Sequence, residues 1–358
     1  MTIEAEQVQD ILDDPSKAAT LADLIYVTDK ELTIERKRLR KDFEYLKGNK
    51  PLLSKKQLDR IKNLVIPPAW EEVRIAEPPN GHIQVVGRDA KNRKVYRYHE
   101  TWTQLRNQTK FFKMAAFGEL LPTIRKRVDD DLDQEGMPKS KVLALIVRLM
   151  EETHIRVGNE YYAKKNKTYG LSTLRTRHVE TSKNKMKFHF VGKKGKEHEV
   201  TLRNKKLRRL VTQCEEIPGW ELFKYFDESG DKHTIDSSMV NEYIHELCGE
   251  HFSAKDFRTW SGTKVFFETL HDIGYVQDED QNKKNILKAF DASAKALGNT
   301  RAVCRKYYVH PEVVTAYEDG GIQPYFDRLD KQKTSKSNLS PSEELLLEMI
   351  AQFEIRLD

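Results

Sequence analysis

Three glycines in the second half of the chain each follow a stretch typical of an α-helix. Gly249, Gly274 and Gly298 come directly after predicted helices at residues 238 to 248, 261 to 273 and 282 to 297. Glycine is favoured just past a helix end because it adopts the left-handed conformation without steric cost. A fourth and clearer helix is predicted at residues 141 to 153, where apolar side chains recur every three or four positions. We therefore expect a mainly helical domain over residues 104 to 329.

The first hundred residues show a different pattern, of short β-prone runs separated by turn-forming residues. Three such runs lie at residues 72 to 76, 82 to 86 and 94 to 98. An earlier apolar run at residues 24 to 27 predicts a further strand, and Ser54 with Gln57 forms the capping pattern of a short helix. We expect residues 1 to 103 to form a small mixed domain with an antiparallel sheet.

The end of the chain is polar and predicts a separate tail. Residues 330 to 340 have the composition of a linker, and a final amphipathic helix is predicted at residues 343 to 355. Residues 330 to 358 are therefore interpreted as a linker and a C-terminal helix. The fold class predicted for the whole chain is α+β, with a sheet domain followed by a helical one.

The distribution of positive charge indicates a polyanionic partner. The chain has 62 Lys and Arg against 56 Asp and Glu, so its net charge is only +6 and the position of the cations matters more than their sum. The basic runs lie at residues 35 to 41, 88 to 97, 164 to 167, 183 to 196 and 204 to 209. A single run of this kind is usually a solvated surface, but several runs with interleaved aromatic residues suit a phosphate backbone.

Cysteine spacing and hydropathy exclude several classes of protein. Cys214, Cys248 and Cys304 lie far apart without CxxC spacing, so neither a disulfide framework nor a zinc site is indicated. No apolar run approaches the roughly 20 residues of a membrane span, and the acidic N-terminus is unlike a signal peptide. The sequence predicts a soluble, cytoplasmic protein.

A β-hairpin is predicted within the helical domain. Apolar residues alternate with polar ones along two stretches, at Met186, Phe188 and Phe190 and then at Val200 and Leu202. The glycine- and lysine-rich segment GKKGK joins them and carries Lys193 near the tip. The neighbouring residues Lys194 and Lys196 add positive charge beside Lys193.

The segment LGNTRAVCRKYYVHP, residues 297 to 311, places two adjacent tyrosines after three cations. A free tyrosine has a pKa of about 10, and a positive environment favours the phenolate, which is the reactive form. By itself the segment fits a nucleophilic tyrosine or an ordinary surface helix with aromatic packing. It also leaves open whether Tyr307 or Tyr308 would react.

Five positions together supply the residue types that a phosphoryl transfer at a DNA backbone requires. They are Arg156, Lys193, Arg258, Asn299 and Tyr308. Paired guanidinium groups bind the non-bridging oxygens of the transition state, a lysine of lowered pKa protonates the departing 5′ oxygen, and an amide donates a further hydrogen bond to the phosphate. Taken singly, each of these residues is better explained as a surface charge, a helix cap or a packed aromatic than as a catalytic group.

Five stretches closely resemble the type IB DNA topoisomerases, specifically the small bacterial members related to the poxvirus enzymes. In chain order they are IRVGNEYY (155–162), TYGLSTLRTRHV (168–179), FVGKKGK (190–196), KDFRTW (255–260) and LGNTRAVCRKYYVHP (297–311). The resemblance covers residues 24 to 326 and implies the helical catalytic fold that these enzymes share with tyrosine recombinases, with an inserted β-hairpin.

The resemblance implies a role for each of the five residues. Tyr308, which directly precedes the VHP of the last stretch, would be the nucleophile that forms a 3′-phosphotyrosyl link. Arg156, Arg258 and Asn299 would bind the scissile phosphate, and Lys193 would be the general acid. Asn299 stands where poxviral and eukaryotic enzymes have histidine, a variation shared by bacterial relatives.

The resemblance also implies DNA contacts outside the catalytic set. The predicted DNA-binding residues are Lys94, Tyr96, Arg97, Tyr98, Tyr162 and Lys255. The stretch VYRYH resembles a strand that contacts the major groove in these enzymes, and its two tyrosines alternate onto one face. Packing within the sheet explains those tyrosines equally well.

The activity implied is relaxation of supercoiled DNA. Enzymes of this family clamp a duplex between two domains, cut one strand, let the free end rotate and reseal the break. Because the bond energy is kept in the phosphotyrosine, neither ATP nor a metal cofactor is expected, and the chain has no GxxxxGK[ST] loop for a nucleotide. The expected partner is double-stranded DNA, bound by a monomer in the bacterial nucleoid.

The residues leave two alternative functions open. A tyrosine recombinase shares the fold and most of these residues, but its second box normally reads HxxR, whereas here Lys255 stands three residues before Arg258. The KxxR form favours a topoisomerase. A DNA-binding protein without catalysis is the third interpretation, and the presence of all five polar groups argues against it.

Overall fold

The computed structural model describes residues 2–3, 10–40, 42–249, 251–332, 334–335 and 338–356, and the chain divides into two compact units. The first unit is Met1–Phe112 with Glu354–Asp358, and the second is Lys113–Phe353. The sequence analysis drew its boundary after residue 103 and set the last 29 residues apart, whereas the units divide inside a continuous helix. The functional division into a clamp domain, a catalytic domain and a tail stays a prediction.

The first unit is built on an antiparallel sheet of six strands. The strands are β2 (Ile34–Arg38), β3 (Phe43–Lys47), β4 (Lys50–Pro51), β5 (Glu71–Ile75), β6 (Ile83–Arg88) and β7 (Lys94–Tyr98). They lie side by side in the order β4-β3-β2-β5-β6-β7. A two-stranded pair, β1 (Thr2–Ile3) with β13 (Ile355–Arg356), belongs to the same unit. The three strands predicted from the alternating runs are confirmed as β5, β6 and β7.

One sequence prediction in this unit is wrong, and two strands were not predicted. Residues 24 to 27 are not a strand, because only Ile25 forms an isolated bridge, to Gly81, while the buried side chains are those of Leu24 and Val27. Strands β2 and β3 were missed, because most of their side chains are charged or only partly buried and Ile34 alone is fully buried in β2. An alternation of apolar and polar residues is absent from such strands.

Two short helices of the first unit, α1 (Pro15–Leu21) and α2 (Lys55–Asn63), accompany the sheet. The Ser54 side chain accepts a hydrogen bond of 3.4 Å from the backbone N–H of Gln57, as the capping pattern predicted. One face of the sheet and α2 share a buried apolar cluster, formed by Ile34, Ile61, Val73, Ile75 and Val85. Burial of these side chains is the main stabilising contribution here.

Helix α3 (Glu100–Leu132) begins in the first unit and continues into the second, which is mainly helical. The other helices of the second unit are α4 (Lys139–Thr153), α5 (Glu160–Asn166), α6 (Lys205–Glu216), α7 (Ser237–Cys248), α8 (Ala254–Ile273), α9 (Glu279–Leu297), α10 (Arg301–Tyr307), α11 (Pro311–Glu318), α12 (Gln323–Lys331) and α13 (Pro341–Ile350). Ten of the 15 residues of α4 are buried, so this helix lies at the centre of the core.

The glycines predicted to end helices do so. Gly249, Gly274 and Gly298 are the C-terminal caps of α7, α8 and α9, and Gly298 adopts the left-handed conformation with φ +60°. Helix α8 starts at Ala254 rather than near residue 261, because Ser253 and Asp256 form a capping box ahead of it. The KDFRTW stretch is therefore helical.

The predicted hairpin is confirmed as β9 (Met186–Val191) and β10 (Glu197–Leu202). A third strand, β8 (Val179–Thr181), which the sequence analysis did not identify, pairs with β9. Lys193–Gly195 form a 3₁₀ turn between β9 and β10, so Lys193 lies at the tip as predicted. A further short hairpin, β11 (Lys224–Phe226) with β12 (Lys232–Thr234), was also missed.

The final helix ends at Ile350 and not near residue 355, because Ile355 and Arg356 pair with the N-terminal strand. The α+β class, with an N-terminal antiparallel sheet and a helical remainder, is confirmed. Among the described residues, no helix has both the length and the apolar composition that crossing a membrane requires.

Candidate active site

Arg156 lies in a loop that leaves α4 through His154, a residue in the left-handed conformation with φ +55°. The backbone carbonyl of Arg156 accepts a hydrogen bond of 2.8 Å from the N–H of Leu171. Gly170 allows this approach, because a Cβ atom at that position would collide with the Arg156 carbonyl and with Gly158. The loop is thereby held in place while the Arg156 side chain remains half-buried.

Arg258 is almost completely buried, with 5% of its surface exposed, on the first half of α8. Its guanidinium donates hydrogen bonds to two backbone carbonyls, that of His154 and, at 2.9 Å, that of Leu297. It thus connects the Arg156 loop to the end of α9. Burial and then the neighbouring charge of Arg156 lower the pKa of Arg258 to about 10, so the group stays protonated at neutral pH.

Asn299 follows Gly298 directly after α9. Its side-chain oxygen accepts a hydrogen bond of 2.6 Å from the Arg156 guanidinium, which fixes the orientation of the amide. Two buried donors near this contact, Nδ2 of Asn299 and Nε of Arg258, have no hydrogen-bond partner in the part of the chain that the structure describes. Buried donors without an acceptor are rare in proteins.

Tyr308 caps the C-terminus of α10 and is half-buried against the core. The guanidinium carbon of Arg258 lies 5.4 Å from the centroid of its ring. Burial of the phenol acts to raise the pKa of Tyr308, but Arg258, Arg156 and Lys193 outweigh it, so the net pKa lies below the ordinary value of 10. The site therefore favours the phenolate more than water does.

Helix α8 also holds the backbone of Tyr308. The Thr263 hydroxyl accepts a hydrogen bond of 3.0 Å from the N–H of His310, and its oxygen lies 3.0 Å from two carbonyl acceptors that share its single proton, those of Tyr308 and Thr259. Gly262 leaves room for this contact, since a Cβ there would lie 3.2 Å from the Tyr308 Cβ. Sequence reasoning missed both α8 residues, although small residues after the arginine stretch are a signal of close packing.

The two adjacent tyrosines lie in different environments. Tyr307 is 42% exposed, and the Lys306 ammonium lies 5.5 Å from the centroid of its ring. Tyr308, and not Tyr307, has the buried Arg258 beside its ring. Which of the two tyrosines reacts stays a prediction.

Lys193 lies in the turn between β9 and β10, where the Gly192 N–H donates a hydrogen bond of 2.7 Å to the Lys196 carbonyl. Its side chain is exposed, yet it is close enough to lower the pKa of Tyr308. Together with Arg156 and His154 it lines a small pocket, whose other wall includes His198. The structure therefore brings all five predicted catalytic residues together, and adds His198, which the sequence analysis did not select.

The predicted DNA-contact residues of the first unit separate onto two faces of β7. Lys94, Tyr96 and Tyr98 are exposed on one face, where the two tyrosine rings stack 5.8 Å apart. Arg97 points to the other face and donates a hydrogen bond of 2.7 Å to the Val65 carbonyl. Lys94 forms an ion pair with Asp29. The tyrosines thus form an exposed aromatic surface, whereas Arg97 does not take part in it.

The predicted contacts of the second unit are both exposed. Tyr162 lies on α5 with its ring edge-on to Tyr161 at 5.5 Å. Lys255 lies in the first turn of α8, three residues before Arg258. Among the described residues, no three His, Cys, Asp or Glu side chains come together in a group that could hold a metal ion.

Comparison with known proteins gives consistent matches. Residues 99–336 match the family described as eukaryotic DNA topoisomerase I, catalytic core, and residues 42–89 match bacterial DNA topoisomerase IB, N-terminal domain. The chain is 33% identical to a DNA topoisomerase 1B of Acanthamoeba polyphaga mimivirus, over 77% of this chain and 84% of that protein. It is 24% identical to the DNA topoisomerase 1B of Vaccinia virus (strain Copenhagen), over 65% of this chain and 72% of the viral protein.

Proposed function

The chain belongs to the type IB DNA topoisomerases, and from this membership we propose how its own side chains cut and reseal a DNA strand. Tyr308 loses its proton to water and attacks the scissile phosphorus, so that a bond forms between the phenolic oxygen and phosphorus. The bond to the 5′ oxygen breaks in the same step. The cut strand then has a 3′ end bonded to Tyr308 through the phosphate and a 5′ end that carries a free hydroxyl.

The observation that carries this proposal is the pair of buried donors without partners, on Arg258 and Asn299, next to a tyrosine of lowered pKa. A buried donor left unpaired costs about 1–3 kcal/mol. The non-bridging oxygens of a phosphate supply the acceptors that these donors lack. Arg156 adds a second guanidinium, and the three side chains stabilise the extra negative charge of the transition state.

Lys193 is the general acid in this proposal. The departing 5′ oxygen needs a proton, and the exposed turn of the hairpin lets the ammonium approach a strand bound against Tyr308. Resealing is the reverse reaction, in which the neutral amine of Lys193 takes the proton back from the 5′ hydroxyl.

The same chemistry explains why no energy source is required. The phosphodiester bond is exchanged for a phosphotyrosine bond, so that the bond energy remains available for resealing and no nucleotide or metal cofactor takes part.

One copy of the chain suffices, because all five side chains belong to the second unit of a single chain. The duplex is clamped with the help of the exposed tyrosine surface of β7, and the enzyme acts in the bacterial nucleoid.

A plasmid-relaxation assay tests this proposal. Negatively supercoiled plasmid is incubated with the protein in excess EDTA and without ATP, and topoisomers are separated on an agarose gel. We expect complete relaxation by the native protein and none by Tyr308→Phe, which still binds the plasmid. A requirement for ATP or magnesium contradicts the proposal. Recombination between paired sites without relaxation would instead support a tyrosine recombinase.

A further inference from the structure

His198 lies on β10 near the Lys193 turn, directly opposite Phe190 of β9. The two rings stack with their centroids 5.1 Å apart and their planes 9° from parallel. This contact packs the imidazole against the hairpin.

Both edges of the imidazole contact the backbone of a glycine. A Cβ atom on Gly192 would lie 2.6 Å from the His198 Cδ2, and a Cβ on Gly298 would collide with Cε1 on the other edge. Gly298 has a reason of its own to be glycine, its φ of +60°. Gly192 has none, because φ −98° and ψ −166° are open to most residues. The His198 ring alone accounts for the absence of a side chain at position 192.

The two glycines directly precede two residues of the proposed mechanism. Gly192 is followed by Lys193, and Gly298 is followed by Asn299. The ring therefore lies between the hairpin turn and the segment after α9. Burial, and then the charges of Arg156, Lys196 and Arg258, lower the pKa of His198. A neutral ring fills this space without adding a further charge to the cations around it.

We infer that His198 is a positioning residue for strand cleavage, whose ring holds the Lys193 turn against the Gly298 segment so that the lysine reaches the departing 5′ oxygen. This inference rests on the proposed function, because it requires Lys193 to be the general acid. His198 itself forms no bond with DNA and transfers no proton. It acts through the geometry of the turn.

A substrate with sulfur in place of the bridging 5′ oxygen separates this role from a general loss of structure. A thiolate leaves without being protonated, so cleavage of the sulfur substrate does not need the general acid. Single-turnover cleavage of both substrates is measured for the native protein and for His198→Ala. We expect a loss of about 10- to 100-fold on the ordinary phosphodiester and a rate within about twofold of native on the sulfur substrate. Equal losses on both substrates overturn the inference.

Two further variants distinguish failure of the inference from failure of the proposed function. Lys193→Ala must itself recover on the sulfur substrate, and if it does not, the assignment of the general acid is wrong. If Lys193→Ala recovers and His198→Ala does not, the acid assignment stands and the inference fails. Asn299→Ala serves as the reference for a phosphate contact, with a loss on both substrates.

Gly192→Ala provides a second test that keeps the histidine. Its methyl group collides with the imidazole but not with the backbone, so the variant should show the same loss on the ordinary substrate and the same recovery on the sulfur substrate. In the double variant Gly192→Ala/His198→Ala the methyl has room, and we expect no further loss beyond His198→Ala alone. Additive losses contradict a shared mechanism. Thermal unfolding of each variant checks that the fold is retained.

Discussion

At the scale of single residues, Arg258 connects segments that are distant in the sequence. It reaches the carbonyl of His154, more than a hundred positions away, and that of Leu297, and its charge lies beside the ring of Tyr308. A buried arginine is normally costly unless its donors are paired. Here two of its three nitrogens donate to carbonyls, and the third, Nε, has no hydrogen-bond partner among the described residues. A lysine could not replace it, because a single ammonium cannot occupy three separated positions.

Arg258 should also set the pH at which Tyr308 reacts. Burial raises the pKa of Tyr308, and Arg258 is the largest influence that lowers it. Arg258→Gln removes this influence and should therefore raise the pKa of Tyr308. On the 5′-sulfur substrate, whose cleavage needs no general acid, we expect the rate of the native protein to rise with pH to a midpoint below 10. The midpoint of Arg258→Gln should lie higher. Arg305→Gln, which removes an exposed arginine of α10, is the matched control and should leave it unchanged.

Thr263 supplies a prediction about stability. Thr263→Val keeps the shape of the side chain but leaves the Tyr308 carbonyl and the His310 N–H without this partner. We expect a loss of about 1–3 kcal/mol in the free energy of unfolding, measured by urea denaturation, together with slower cleavage. Thr269→Val on the same helix is the control, because it removes only a hydrogen bond to the carbonyl of Val265 within α8. We expect it to lower the free energy of unfolding by less than about 1 kcal/mol, the contribution of one such hydrogen bond. Equal losses of unfolding free energy in the two variants would show that the contacts of Thr263 with the Tyr308 segment add no further stability.

At the scale of helices and strands, α13 is attached to the helix that carries Arg258. Glu343 is buried and accepts two hydrogen bonds from Arg125, at 2.8 and 2.9 Å, and one of 2.9 Å from the indole N–H of Trp260 on α8. The helix begins five residues beyond the end of the main family match at residue 336. This element therefore supports the catalytic helix from outside the matched region.

The Glu343 contact predicts how stability depends on pH. Burial acts to raise the pKa of Glu343, but Arg125 outweighs it and holds the pKa at about 2. The unfolded chain protonates this carboxyl near 4.5, so the stabilisation is present above pH 4.5 and is lost as the pH falls toward 2. Glu343→Gln should lose about 3 kcal/mol at neutral pH and should show a smaller decline between these pH values.

A matched control for this prediction lies on the same helix. Glu348 forms an exposed pair with Arg328, with two hydrogen bonds of 2.6 and 2.7 Å. Glu348→Gln should cost no more than about 1 kcal/mol, because solvent screens exposed ion pairs. Chemical denaturation of both variants from pH 3 to 7 makes the comparison, and similar losses for the two variants would mean that burial of the Glu343 pair contributes nothing.

Elements were predictable where a local signal marks them. The caps of α7, α8 and α9 are single glycines, and the hairpin of β9 and β10 follows from alternation. Strands β2 and β3 carry no such signal, since pairing and not burial defines them. The short strand β13 depends on a partner at the opposite end of the sequence, which local patterns cannot reveal.

At the scale of the whole molecule, the sequence predicted five reactive side chains but not the contacts that arrange them. The residue types followed from the chemistry of phosphoryl transfer and from motif resemblance. The contacts of His198 with Gly298 and of Thr263 with Tyr308 join residues 100 and 45 positions apart, so they depend on the tertiary fold. The resemblance placed Arg97 among the DNA contacts, and in the structure its guanidinium donates a hydrogen bond to the Val65 carbonyl, so a contact of Arg97 with DNA stays a prediction.

The dispersed basic residues predict the salt dependence of DNA binding. Each phosphate contact releases counterions, so the logarithm of the association constant should fall steeply with the logarithm of salt concentration. Lys94→Ala and Lys255→Ala should each reduce the slope by about 1, measured by fluorescence anisotropy with the Tyr308→Phe protein to prevent cleavage. Lys331→Ala, an exposed lysine outside the predicted contacts, is the control. If the slope is unchanged in both variants, neither Lys94 nor Lys255 contacts a DNA phosphate.

The identity of the tyrosine that becomes bonded to DNA tests the central claim most directly. The native protein is incubated with a suicide duplex from which the 5′ product dissociates, the adduct is digested with protease and nuclease, and the modified peptide is sequenced by mass spectrometry. We expect the nucleotide on Tyr308, an adduct of undiminished yield in Tyr307→Phe, and none in Tyr308→Phe. A nucleotide on Tyr307, or an adduct that survives Tyr308→Phe, would contradict the account.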